Sequence, residues 1–83
     1  MKVNVKYFAS IREALGQGSE SVETAVTSVQ GLRDELIARG GAHAQVLARG
    51  RAVGAALNQV MSDETAPLAE GCEVAFFPPV TGG

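Results

Sequence analysis

Only one stretch of this chain carries a long helical pattern. Val29, Leu32 and Leu36 recur at i, i+3 and i+7, with Arg33, Asp34 and Glu35 on the other faces. Thr27-Ser28 offers the N-cap, and Gln30 stands three residues after Thr27, the spacing of a capping box. Gly40-Gly41 stops the helix after Arg39; with no GxxxxGK pattern around them, these glycines read as a helix end rather than a phosphate loop. The remaining apolar residues mostly alternate with polar or small ones, the period of strands. A chain of 83 residues has room for one core. A single helix with strands before and after it therefore has to pack against one small sheet.

The alternation assigns the strands. Val3, Val5 and Tyr7 form one face of the first, opposite Lys2, Asn4 and Lys6. Phe8 falls on the polar side, which places a large ring on the solvated face of the sheet. Ile11 to Gly16 reads as one helical turn stopped by glycine, with Ile11 and Leu15 facing in and Arg12 and Glu13 solvated. A second strand over about Glu20 to Thr24, with Val22 inward, pairs antiparallel with the first. His43 lies in a turn-like segment, Ala42 to Leu47, and reads as a surface residue. A lone histidine with no spaced cysteine partner is a poor metal ligand. Arg49-Gly50-Arg51 reads as a solvated basic turn. Val53, Ala55 and Leu57 mark a third strand, Asn58-Gln59 a turn, and Val60-Met61 a short fourth strand. Asp63 to Ala66 is a loop, Pro67-Leu68 pins it to the core, and Glu70-Gly71 turns the chain into the last strand, Glu73 to Phe77. There Val74 and Phe76 face in, and Ala75 and Phe77 face out.

This order predicts an α+β fold: a mixed sheet of about five strands over one main helix, plus short helical turns. A crossover through the helix sets the first and last strands side by side and parallel. That is the ubiquitin-like β-grasp arrangement. Phe8 and Phe77 then share the exposed face, with Met61 joining them from an edge strand, and such an apolar patch marks a protein interface.

Composition excludes several classes of partner. Net charge is −2, and the only basic cluster is Arg49-Gly50-Arg51, so no nucleic-acid footprint is expected. No segment has the length of a membrane span, and the first residues lack the apolar block of an export signal. A single cysteine forms no internal disulfide. A cytoplasmic protein is the simplest reading.

The last strand runs into Pro78-Pro79, which cannot continue a central strand and favours stiff, extended geometry. Val80, Thr81, Gly82 and Gly83 follow. Residues 1–79 are expected to form the domain and 80–83 a tail with a reach of about 14 Å. Gly82 and Gly83 have no side chains and can enter a channel too narrow for other residues.

Three stretches carry a resemblance. Val5-Lys6-Tyr7-Phe8-Ala9-Ser10-Ile11-Arg12-Glu13-Ala14-Leu15-Gly16, then Ala55-Ala56-Leu57-Asn58-Gln59, and finally Pro67 through Gly83, ending Glu-Val-Ala-Phe-Phe-Pro-Pro-Val-Thr-Gly-Gly, resemble the small subunits of molybdopterin synthase. That family consists of ubiquitin-like sulfur carriers. The resemblance implies that an activating enzyme, a relative of the ubiquitin-activating enzymes, adenylates Gly83 with ATP. Sulfur then converts the acyl-adenylate into a thiocarboxylate. It further implies a large subunit as partner, two of each in a heterotetramer, whose active site receives the tail and passes sulfur to cyclic pyranopterin monophosphate. No bound cofactor and no catalysis by the chain alone are implied. By the same resemblance Gly83 and Gly82 are the reacting end, and Phe8, Met61, Phe77, Pro78, Pro79, Val80 and Thr81 bind the partner. Two related readings share the Gly-Gly end: a modifier joined through Gly83 to lysines, and a sulfur carrier for thiamin or cysteine synthesis. The Phe-Phe-Pro-Pro-Val-Thr run favours the molybdopterin group. One position departs from the family, which usually has an acidic residue where this chain has Cys72. Between Glu70 and Glu73, Cys72 reads as an unreactive thiol at a turn.

Overall fold

A computed structural model describes residues 1–78. The elements run β1 (Lys2–Tyr7), α1 (Ala9–Leu15), β2 (Ser19–Glu23), α2 (Val29–Ile37), α3 (Gly41–Val46), β3 (Gly54–Leu57), β4 (Val60–Ser62) and β5 (Glu73–Phe77). The strands form a five-stranded sheet in the order β2-β1-β5-β3-β4. β1 and β5 are parallel, with Val5 opposite Val74 and Tyr7 opposite Phe76, and the other neighbours are antiparallel. This is the β-grasp topology, with the parallel pair joined through the α2 crossover.

Alternation along the two central strands determines the core. Val3, Val5, Val74 and Phe76 are wholly buried, as are Val29, Leu32 and Leu36 on α2 and Leu47 after α3. Ile11 and Leu68 are nearly so. Val53 and Leu57, expected inside, pack against this cluster but remain partly exposed.

Several expectations need correcting. The α2 N-cap is Ser28 rather than Thr27: its Oγ accepts from the Gly31 amide at 3.1 Å. The third residue of the helix is then Gly31, so Gln30 cannot complete a capping box. Its amide instead donates to the Glu64 carbonyl. Residues 41–46 form a helix, and His43 is largely covered, with 17% of its side chain exposed. Ala75 faces the outer side as expected, yet it is only 5% exposed. Its strand is central, and a methyl group between Lys6 and Ala56 is shadowed by its neighbours. Cys72 closes the turn that begins at Ala69, its amide donating to the Ala69 carbonyl at 3.0 Å, but its side chain is 5% exposed and packs into the core cluster.

Arg33, which the helical pattern places off the apolar stripe, is nevertheless buried, with only 4% of its side chain exposed. Its Nε donates to the Leu47 carbonyl at 2.7 Å, and Nη2 donates to the carbonyls of Ala48 and Arg51 at 2.7 and 3.1 Å. Nη1 pairs with Glu64 at 2.8 Å. The planar fork of a guanidinium suits this task, since one side chain satisfies several loop carbonyls that secondary structure leaves unpaired. Arg49, beside it, bridges Asp34 and Glu64, so the basic turn is tied down.

Candidate docking face and C-terminal exit

Register across the outer face of the sheet decides which exposed side chains lie together. One row runs Lys6, Ala75, Ala56, Met61 from β1 to β4. The next begins with Phe8, whose amide donates to the Phe76 carbonyl at 3.1 Å, and continues through Phe77 to Gly54. Phe8, Phe77 and Met61 therefore sit on one face, as the alternation predicts. Phe8 is 46% exposed and Met61 71%, while Phe77 is partly buried.

Each of these residues is positioned by its local backbone. Phe8 is extended and is the N-cap of α1, and its carbonyl accepts from the amides of Ile11 and Arg12. The next residue in the chain, Ala9, has φ of 51°. A left-handed conformation costs a non-glycine residue roughly 1 kcal/mol. It lets the chain turn sharply from strand to helix while Phe8 stays on the outer face. Met61 follows a two-residue turn in which Asn58 and Gln59 both have positive φ, the turn type that matches strand twist. Asn58 does more than cap its own turn. Its Oδ1 accepts from the Glu73 amide at 2.9 Å and its amide donates to the Glu73 carbonyl at 2.8 Å, which locks the hairpin to the start of β5.

Phe77 shows what the sequence reading missed. It stands opposite Gly54, and its ring occupies the space where a side chain on Gly54 would be. The signal was legible only once β3 and β5 were in register. Pro78, the last described residue, lines a groove of about 480 Å³ together with Ile11, Ala14, Val46, Arg51 and Val53. Pro79, Val80, Thr81, Gly82 and Gly83 lie outside the described residues, as does the boundary between domain and tail.

A second cluster of titratable groups, around Glu20, lies away from the outer apolar residues. Glu20 accepts from the Tyr7 hydroxyl at 2.6 Å and from Arg39 at 2.7 Å, and His43 Nε2 lies 3.2 Å away. Burial pushes the Glu20 carboxyl up, but hydrogen bonds from Arg39, Tyr7 and His43 outweigh it and hold the group below the usual carboxylate range. Burial, reinforced by the bond to Glu20, pushes the Tyr7 phenol well above its ordinary value. The His43 ring meets Tyr7 edge-on at 6.1 Å. This arrangement clamps β1 and β2 to α3. Among the described residues no group of three or more His, Cys, Asp or Glu could hold a metal, and no helix is long and apolar enough to cross a membrane.

The fold and the face together define a class: ubiquitin-like β-grasp proteins that present an apolar sheet surface beside the exit of the C-terminal segment. The ThiS family model matches residues 5–83, and the chain belongs to that family. It is 40% identical over 81 residues to the molybdopterin synthase sulfur carrier subunit of Escherichia coli (strain K12), covering 98% of this chain and 99% of that one. Among solved structures, SAMP1 from Haloferax volcanii, a small archaeal modifier protein, matches with a TM-score of 0.79 and 25% identity over the whole of both chains. A complex of subunits 1 and 2 of the molybdopterin-converting factor from Helicobacter pylori matches with a TM-score of 0.71 and 25% identity, again over the full length of both chains.

Proposed function

We propose that this chain is the sulfur carrier subunit of a molybdopterin synthase and that Gly83 is its reacting end. The observation that supports this best is full-length similarity to a sulfur carrier subunit, combined with an outer face that sets Phe8 and Phe77 beside the strand leading to the tail. A glycine carboxylate is ionised at neutral pH and is a poor electrophile. Its oxygen attacks the α-phosphorus of ATP on an activating enzyme, releasing pyrophosphate. A sulfur nucleophile then displaces AMP, leaving a thiocarboxylate. The large subunit takes the tail into its active site, and in each transfer the thiocarboxylate sulfur bonds to cyclic pyranopterin monophosphate and water then cleaves the acyl–sulfur bond, which leaves the sulfur on the pterin and returns the carboxylate. Two transfers build the dithiolene. Carrier and large subunit form a heterotetramer with two copies of each, in the cytoplasm, and the chain contributes the sulfur but no catalytic side chain.

Intact-mass measurement of the chain coexpressed with its activating enzyme tests the first half of this reading. The expected result is a species heavier by the difference between one sulfur and one oxygen. A second reading, conjugation to lysines, is favoured by the likeness to a small archaeal modifier protein. Abundant Gly-Gly remnants on lysines in digested lysate, with no sulfur-substituted free chain, would decide for the modifier.

The docking half predicts that Phe8→Asp abolishes binding to the large subunit while the domain stays folded. The ring is half exposed and contributes little to the core, but a carboxylate there would be desolvated unpaired in an apolar interface. Titration of the purified large subunit reads the binding, and circular dichroism checks the fold. Unfolding of the variant would show that Phe8 belongs to the core.

A further inference from the structure

The outer face contains a glycine that its own backbone does not require. Gly54 opens β3 opposite Phe77 and has none of the positive φ values that call for glycine at Gly16, Gly40, Gly41 and Gly71. An extended strand position normally gains from a side chain, and glycine there weakens the strand. The reason for glycine is space. A Cβ built on Gly54 would lie 2.2 Å from Phe77 Cε2, 2.8 Å from Cζ and 2.9 Å from Cδ2. All three atoms belong to one ring, which therefore lies across the β3 backbone. An aromatic ring covering a cross-strand glycine shields that stretch of backbone from water and fixes the ring's own rotamer.

We propose that Gly54 is a positioning residue for partner docking, and that its missing side chain lets the Phe77 ring lie flat across β3 and present a fixed aromatic plate at the root of the tail. The inference rests on the synthase reading for the identity of the partner, the large subunit. It explains why Phe77 is partly buried although it faces out, and why its ring leans toward β3. A rigid aromatic loses little entropy on binding, so an anchor held in place before docking binds more tightly than one that must be ordered. Phe77 is followed directly by Pro78, so the same plate also sets where the tail begins.

Two measurements test this. In the free protein, the face of the Phe77 ring should shift the Gly54 α-proton NMR resonances upfield, and Phe77→Leu should remove that shift. Unshifted Gly54 protons in the unaltered protein would overturn the placement, whatever the partner. For docking, Gly54→Ala should bind the large subunit about 10-fold more weakly than wild type, the scale expected when an interface aromatic is displaced. The Phe77 ring is partly exposed and can swing away, so the domain should keep its fold, which its NMR spectrum checks directly. In a Phe77→Leu background, Gly54→Ala should have no further effect. Wild-type affinity in Gly54→Ala overturns the proposal, and so does an undiminished loss in the Phe77→Leu background, which would mean that the substitution acts through β3 itself. A wild-type chain that fails to bind the large subunit overturns the synthase reading and the docking role with it, while the proton shifts still decide where the ring lies.

Discussion

Deletion of Gly83 should lower dithiolene formation by roughly 100-fold or more in a reconstituted system of carrier, activating enzyme, ATP, sulfur donor and large subunit, because misplacing a reacting group by as little as 1 Å costs about that much. The shortened chain still ends in a glycine carboxylate of the same acidity, so the chemistry of the group is unchanged. What changes is reach. Removing one extended residue withdraws the carboxylate by about 3.5 Å, both from the α-phosphate that must activate it and from the substrate that must take its sulfur. Binding to the large subunit through Phe8, Phe77 and Met61 should survive, since the outer face of the sheet is untouched. The buried core lies within residues 3–76, so the melting temperature should not move either. Substitution of Gly83 by alanine separates reach from bulk: it restores the length and adds one methyl group beside the reacting carbon. A deletion variant that supports synthesis at the wild-type rate would exclude Gly83 as the sulfur carrier.

How much of this was legible in the sequence depended on the distance over which the information acts. Period-two alternation is local, and it placed Val3, Val5, Tyr7, Val74 and Phe76 inside and Phe8 outside. The α2 stripe and the Gly16 stop are equally local, and the single long helix left little choice but a sheet over it. The misreadings arose where a residue's environment is made by a distant segment. Ala75 is buried because β5 is the central strand, a property of sheet order that no window around residue 75 contains. His43 is covered because Tyr7 and Glu20 come to it from the sheet. Arg33 falls off the apolar stripe with Asp34 and Glu35, yet its partners are carbonyls some 14 to 18 residues away. Gly54 was readable as a small strand residue, but its relation to Phe77 exists only once β3 and β5 are paired. For the outer apolar face, then, alternation in the sequence identified the outward-facing residues, and register supplied their arrangement.

Arg33→Met should destabilise the domain by about 3 kcal/mol, the scale of breaking a buried, hydrogen-bonded charge pair. Methionine fills much of the same space and is a good helix former, so the cost comes from lost polar contacts and not from a cavity or from helix propensity. The carbonyls of Leu47, Ala48 and Arg51 would each lose a donor, and Glu64 would lose its buried partner while keeping Arg49. For a domain of this size, each kcal/mol lowers the melting temperature by about 4–8 °C, so the shift should be on the order of 12–24 °C. Total stability is roughly 4–12 kcal/mol at about 0.05–0.15 kcal/mol per residue, so the loss takes a large share of it. Arg33→Lys should recover little of the loss, because a single ammonium cannot reach carbonyls on both sides of the loop and Glu64 at once. Arg39→Met is the contrast: Arg39 is exposed, and its removal should cost under about 1 kcal/mol. The loop that Arg33 holds leads straight into β3 and Gly54, so its loosening should also weaken docking of the large subunit below the melting transition. Denaturant titration of the three variants decides the matter. Equal midpoints for Arg33→Met and Arg39→Met would show that the guanidinium does not hold the loop.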